Sequence, residues 1–385
     1  MEAFSMFLVV LSALSWAGFA LLPWRPWSNR EVLEAKDEDG DDEILSEITV
    51  LIPARNEAEV IQQTLQSVIQ QGRGLTVVLI DDGSEDATVE KACQSNNANL
   101  RTIQSAPLPA GWSGKLWALE QGRRHVTTRY ALLLDADIQL TRGIVKALIE
   151  KMHQQGVSFI SLMVVPSMFG GWEKLLMPAF VYFFKVLYPF ALVNSHHTKI
   201  AAAAGGCILV ETRLLDEIGG FEPIRSAVID DCALADRVKA QGVKIWLGLT
   251  HSAKSVRLYR HLKEIWDMVA RTAFVELRCS LGLLMVCTLA MGLLYGVPVI
   301  MVASSNVLLF YLSLSSLLIM FLTYVPILRF YRRSWAWGLC LPLIAVLFLA
   351  MTWTSAIRYW RGERTRWKGR VYRRRAPAGF QKTNS

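Results

Sequence analysis

Apolar and polar positions follow three different periods along this chain. Residues 4–22, FSMFLVVLSALSWAGFALL, carry no charge and are about as long as a bilayer-spanning helix requires. No basic residue precedes the run and no small-x-small cleavage site follows it; PWRPW comes next, where an interfacial Trp/Arg belt belongs. The pattern predicts an uncleaved anchor over residues 1–24. Residues 25–47 then read as a solvated linker, because EVLEAKDEDGDDE (31–43) holds eight acidic side chains and cannot bury a core. After Ser280 the chain turns apolar again, in LGLLMVCTLAMGLLYGVPVIMVA, VLLFYLSLSSLLIMFLTYVPIL and WAWGLCLPLIAVLFLAMTWTSAI, each long enough to span. Residues 281–357 are therefore expected to be membrane helices, and 358–385 a basic tail.

Between these ends, over 48–280, short β-rich runs alternate with helical ones. ITVLIP (48–53) reads as a buried strand, and the following segment places Val60, Ile61, Leu65, Val68 and Ile69 on one helical face. LTVVLIDDGSEDAT (75–88) repeats the theme, with an acidic Gly turn and a helix start near Ser84. YALLLDADIQLTRGIVKALIEKM repeats it again. Strand, polar loop and helix in succession predict an α/β doubly wound Rossmann-like sheet, with ligands at the carboxyl ends of its strands. Both acidic clusters fall there.

Composition changes this picture little. At 52% hydrophobic residues with 13 Trp, the chain is too apolar for an ordinary soluble protein and too charged for a pure transporter. Its net charge of +8 is concentrated beside the hydrophobic segments, where membrane flanks and anionic headgroups account for it, so nucleic acid is not an expected partner. The six Cys show no C-x-x-C spacing and read as reduced, packed residues; the six His show no metal-ligand spacing, and His196 and His197 read as loop residues. A dinucleotide site would need G-x-G-x-x-G after the first strand, where this chain has PARNEAE.

The candidate chemistry begins with DAD at 135–137. Two carboxylates at one strand end repel unless a cation neutralises them, and hard oxygen ligands select Mg2+ or Mn2+, which would bridge the acids to a diphosphate. Taken alone, the motif is equally a solvated turn.

PARNE (53–57), DDGS (81–84), DAD (135–137) and IDDCALADR (229–237), in that order and spacing, resemble family 2 glycosyltransferases of the GT-A fold. GWSGKLWALEQG, AAAAGGCILVE, IDDCALADRVKAQG, IWLGLT and RWKGRVY more narrowly resemble the bacterial hopene-associated glycosyltransferases, related to ceramide glucosyltransferases. The resemblance implies transfer of a sugar from a UDP-sugar donor to a lipid hydroxyl, by inverting single displacement, with a hopanoid as the first acceptor to consider. It places Pro53, Ala54, Glu57 and Asp82 around the uridine, Lys115 and Arg271 at the diphosphate, Asp135 at the ribose or sugar, and Asp137 with Asp135 on the metal. It makes Asp231 the base that takes the acceptor's proton, with Gly206 and Asp230 on the acceptor side. At 230 the family's Glu is replaced by Asp. Where processive synthases carry Q-x-x-R-W, this chain has ARTAFVELR, without that Gln or Trp, which favours one sugar per acceptor over polymerisation. A non-catalytic scaffold on the same fold would have lost acids that this chain keeps.

Two features complete the expectations. Residues 170–193, GGWEKLLMPAFVYFFKVLYPFALV, are strongly apolar, and a span here would put the DAD and DD motifs on opposite sides of a membrane. An interfacial helix guiding a lipid acceptor fits better, with an internal core helix as the alternative. The expected location is the bacterial inner membrane, with the catalytic domain facing the cytoplasm, where nucleotide-sugars are supplied. Three full C-terminal spans would then leave the Arg-rich tail outside, against the positive-inside rule, unless one of the three is re-entrant or interfacial.

Overall fold

A computed structural model of the protein describes residues 2–36, 45–95, 98–367 and 370–373. An apolar helix, α1 (Glu2–Leu21), comes first. Strand and helix then alternate through β1 (Ile48–Ala54), α2 (Ile61–Ile69), β2 (Thr76–Asp81), α3 (Thr88–Cys93), β3 (Leu100–Gln104), α4 (Gly114–Arg123) and β4 (Tyr130–Leu134). There follow β5 (Ile138–Leu140), α5 (Ile144–Gln155), β6 (Phe159–Val165), α6 (Gly171–Leu187), α7 (Phe190–Val193), β7 (Cys207–Glu211), α8 (Thr212–Glu217), α9 (Asp230–Ala240), β8 (Ile245–Ser255) and α10 (Leu262–Glu276). The chain continues as α11 (Leu281–Met291), α12 (Val297–Met301), α13 (Val307–Phe330) and α14 (Leu341–Trp360), and β9 (Glu363–Trp367) pairs antiparallel with β10 (Arg370–Arg373).

The eight-stranded sheet has the order β3-β2-β1-β4-β7-β6-β8-β5. Its first four strands are parallel, as the alternating pattern predicts, but β7 runs antiparallel to both β4 and β6, so the sheet is mixed. All seven residues of β1 are buried, because a strand covered on both faces needs apolar positions throughout. Val50 and Ile52 pack on one face with Ile61 and Leu65 of α2. Leu51 packs on the other, in a cluster that runs without a break through Tyr182 to Trp16, Tyr324 and Phe348 of the apolar helices. The sheet and the membrane-like helices thus share one core.

The two small helices depart from expectation at their ends. Ile69 is exposed rather than part of the buried face of α2. The third helix begins at Thr88, where the Asp86 carboxylate accepts from the Thr88 backbone N–H at 3.1 Å, while Ser84 instead donates to Asp81 within the preceding turn. An acid three residues beyond the Gly turn competes better for the free N–H groups of the helix start.

The linker is a larger correction. Backbone bonds Leu33 N–H to Leu249 O and Leu249 N–H to Glu31 O dock residues 31–33 beside β8, and the Glu34 carboxylate accepts from the His251 and Ser252 side chains at 2.7 Å each. The apolar pair Val32 and Leu33 and a histidine partner make this part of the linker a docked strap. Its most acidic residues, 37–43, lie outside the described residues, as does the tail beyond 373.

Among the described residues, four helical segments are long and apolar enough to cross a membrane: Glu2–Leu21, Leu281–Met301, Val307–Phe330 and Trp335–Trp360. The last one differs from the others in its packing. The preceding span, α13, ends against the sheet, where Phe330 stacks on His251 and its carbonyl accepts from that ring at 2.7 Å. The chain then folds back beside Phe321, less than half of α13 away, before α14 starts. At its other end α14 lies along α10: Ser355 accepts from Phe274 N–H at 3.1 Å, and Arg358 donates to Asp267 at 2.5 Å. The C-terminal end of α14 therefore lies against the sheet domain, while its start packs beside the middle of α13.

The expected interfacial helix is α6, and it is built into the protein rather than laid free on lipid. Val181, Tyr182 and Lys185 are buried, and Phe183 packs 5.0 Å from Phe348 of α14 and 6.2 Å from Tyr295 between α11 and α12. Tyr182 lies 5.2 Å from Tyr324 of α13. The aromatic run is apolar because it mates the two halves of the molecule. Lys185 is satisfied inside by the Ser28 carbonyl at 2.5 Å and Asn29 Oδ1 at 2.6 Å.

Candidate active site

The carboxyl ends of β1 and β4, the start of α9 and the inner face of α10 enclose a cavity of about 560 Å3. Its floor is acidic and its cations are interleaved with the acids. The Ser113 hydroxyl caps α4 by accepting from Leu116 N–H, which sets Lys115 in the first turn, pointing across the cavity. Lys115 Nζ lies 2.8 Å from Asp135 and 3.4 Å from Asp230, so one ammonium joins the DAD turn to the DD pair. Burial opposes the charge on Lys115, but the two aspartates outweigh it and hold its proton above the usual lysine range.

Asp137 is treated differently. It is 8% exposed, and its carboxylate accepts from Ser255 Oγ at 2.8 Å and from Arg257 Nε at 3.1 Å. The same guanidinium donates to Glu57 at 2.8 Å, clamping the PARNE and DAD loops together. The reason lies in the sheet: β5 pairs antiparallel with β8, and Ile138 opposite Ser255 delivers the segment after β8 to the DAD turn. Asp137 and Glu57 hold the Arg257 charge firmly in spite of its burial.

The remaining loops are laced from below. Asn56 takes a left-handed φ of 51° and accepts from Glu85 N–H at 2.8 Å, while Ser84 Oγ accepts from Asn56 N–H; Asn56 therefore ties two loops and does not cap α2. Arg55 donates to the Asp82 carbonyl at 2.7 Å. Pro53, Glu57, Lys115, Asp135, Asp137, Asp230 and Arg271 all line the cavity. Ala54 and Asp82 are buried behind its wall, joined by the bond from Asp82 N–H to Ala54 O at 2.9 Å.

The DD pair divides. Asp230 borders the open cavity, whereas Asp231 lines a recess of about 20 Å3 behind it, shared with Lys115, Asp135 and Gly205. Burial first, and Asp230 second, push the Asp231 carboxyl up to about 7. The glycine at this place is Gly205 rather than Gly206: a Cβ on Gly205 would stand 3.2 Å from Asp231 Oδ2, while one on Gly206 would meet Val164. Gly206 contributes its carbonyl, which accepts from Asp135 N–H at 3.1 Å.

Arg257, Ser255, Tyr259 and Gly205 were not legible as site residues in the sequence. The only signal for the first three is their place just after a strand, S-x-R-x-Y, and it acquires meaning once β8 is known to lie beside β5. From the membrane-like half, Ser355, Arg358, Tyr359 and Glu363 also line the cavity.

Residues 49–219 match the family model described as Glycosyl transferase family 2. This segment is a family 2 glycosyltransferase domain. A 4,4'-diaponeurosporenoate glycosyltransferase of Staphylococcus aureus (strain MRSA252) is 34% identical over 158 residues, 40% of each chain, and that of strain USA300 is 32% identical over 157 residues. The chain thus covers 40% of the length of the curated relatives it matches. Among solved structures, a mannosyltransferase of Pyrobaculum calidifontis, in complex with GDP-Man and Mn2+, aligns over 94% of this chain and 97% of its own with a TM-score of 0.52 at 15% identity. That likeness places the glycosyltransferase domain and its apolar helices in a GT-A architecture.

Proposed function

We propose that the protein is a membrane glycosyltransferase, which moves one sugar from a UDP-sugar to a lipid hydroxyl on the cytoplasmic side of a bacterial inner membrane. The observation that carries this reading is the cavity itself: carboxylates and cations interleave on its floor, and one of its walls belongs to the apolar helix α14. The family of the domain and the glycosyl transfer named for the Staphylococcus relatives support the reaction class. The exposed Arg271 and the cluster of cations give a diphosphate its partners.

Among the described residues no three His, Cys, Asp or Glu side chains converge as a metal set. Asp137 and Asp135, two hard oxygen donors on one turn, are the residues that would hold a Mg2+ or Mn2+ ion. Held there, such an ion would offset the charge of the departing diphosphate. The complex of the Pyrobaculum enzyme with GDP-Man and Mn2+ agrees in kind.

The chain's own residues do the rest. Pro53 and Glu57 border the nucleotide side of the cavity and Arg271 the diphosphate. Asp231 takes the acceptor's hydroxyl proton as the acceptor oxygen bonds to the anomeric carbon. The bond from that carbon to the diphosphate oxygen breaks, its electron pair leaves with UDP, and configuration inverts. A carboxyl held near 7 suits this work, because a base acts best when its pKa lies close to the working pH. Asp230 is the second candidate base, since it borders the open cavity.

Purified protein in nanodiscs, screened with UDP-sugars and Mn2+ against extracted membrane lipids including hopanoids, is expected to yield a glycolipid one sugar heavier by mass spectrometry. Long saccharide chains would indicate a processive synthase, and no transfer to any lipid would overturn the reading.

A further inference from the structure

A second cavity, of about 580 Å3, opens from the first. Pro223, Ile224 and Ile229 of the loop leading into α9 form one side, and Val275, Cys279 and Tyr359 form the other. Ala227, Val228, Val275 and Tyr359 line both cavities, so the two are continuous. At the inner end Ile229 directly precedes the DD pair. At the outer end Cys279 stands two residues before Leu281–Met301, a segment long and apolar enough to span, whose Leu281 and Leu283 are exposed. Among the described residues, none lining this annex carries a charge.

We propose that the annex admits the hydroxyl-bearing end of a membrane lipid from the bilayer to Asp230 and Asp231, and that the acceptor is an uncharged alcohol rather than a lipid phosphate or carboxylate. This rests on the lipid-hydroxyl reading above and adds the route, together with a physical reason why the head group that takes it is an alcohol and not an anion. An anionic head group buried here would need cationic partners, since an unpaired buried charge is strongly disfavoured. Of the cations around it, Lys115 is held by Asp135 and Asp230, Arg358 by Asp267 at 2.5 Å and Arg225 by Glu222 at 3.3 Å, while Arg278, next to Cys279, is exposed at the outer end and lines neither cavity. Arg271 faces the catalytic cavity and is not part of the annex. An anion emerging at the DD pair would also meet two carboxylates. An alcohol meets none of these penalties, because its O–H donates to a carboxylate and its chain stays in an apolar channel.

The test uses the full chain in nanodiscs with the UDP-sugar found in the lipid screen. An isoprenoid alcohol, its phosphate monoester and the carboxylic acid of equal length are offered in turn. The alcohol is expected to be glycosylated at least tenfold faster than either anion; preference for an anion overturns the head-group assignment. An alcohol carrying a photoreactive diazirine is expected to label peptides containing residues 223–229 or 275–279 of the wild-type protein, and labelling confined to other surfaces overturns the route. Cys279→Trp, which narrows the outer end, is expected to cut lipid transfer at least tenfold with UDP-sugar affinity unchanged. Full transfer in this variant also overturns the route. Transfer to soluble acceptors with none to lipids would mark failure of the lipid-acceptor reading itself.

Discussion

Two acidic pairs face each other across the cavity, and the protein treats them differently. Each aspartate of the DAD turn has its own cation: Lys115 on Asp135 at 2.8 Å and Arg257 on Asp137 at 3.1 Å. In the DD pair, Asp230 lies 3.4 Å from Lys115, whereas Asp231 accepts from the Cys232 backbone N–H at 2.9 Å. In the first pair each carboxylate has a side-chain cation against it, although burial raises the proton affinity of Asp135. The second shares too little positive charge for both members, and burial raises Asp231 to about 7. Like charges placed alike in sequence have thus been given different partners: a cation on each carboxylate of the first pair, and a backbone N–H on Asp231 in the second.

The largest expected effect comes from breaking the first pair. Asp137→Ala removes the more buried member, and divalent-dependent binding of a UDP-sugar should be lost while the fold is retained. Calorimetric titrations with and without Mn2+ check this, and an unchanged response to the metal would remove Asp137 from that role. A smaller effect is expected from Arg257, whose guanidinium bridges Glu57 and Asp137. Arg257→Met should weaken UDP-sugar binding about tenfold, the scale of one charge-assisted hydrogen bond. It should also tighten binding of Mn2+ alone, read by electron paramagnetic resonance, because Asp137 and Glu57 lose a competing cation. If neither quantity moves, the clamp between Glu57 and Asp137 has no part in donor binding.

The same contrast shows how far the sequence could be read. β1, β2 and β4 were legible because strands buried on both faces are almost continuously apolar, and the acids stood out because carboxylates rarely end such runs without cause. The four apolar helices were legible from length alone. The antiparallel β7 was not, since its five residues, CILVE, read the same in either direction. The distinction between Gly205 and Gly206 was equally closed, because it depends on which neighbour stands where a Cβ would be. Arg257 comes from a strand far along the chain, and only the pairing of β5 with β8 brings it to Asp137. The apolar run of α6 reads equally as lipid-facing or core; its packing on Tyr324 and Phe348 comes from elements more than 130 residues away.

The division of labour between the pairs is tested most directly by the pH dependence of single-turnover sugar transfer, with saturating UDP-sugar and lipid alcohol in nanodiscs. In the wild type the rate should rise with pH through an apparent pKa near 7, as Asp231, raised by burial and by Asp230, loses its proton and becomes a base. Asp231→Asn is nearly isosteric and cannot accept that proton, so its rate should be lower by about 10²-fold or more and should lack the rise, with donor affinity unchanged. A rate near that of the wild type in Asp231→Asn, with the same pH profile, would contradict the account; if Asp230→Asn showed the loss instead, the base would be the aspartate that borders the open cavity.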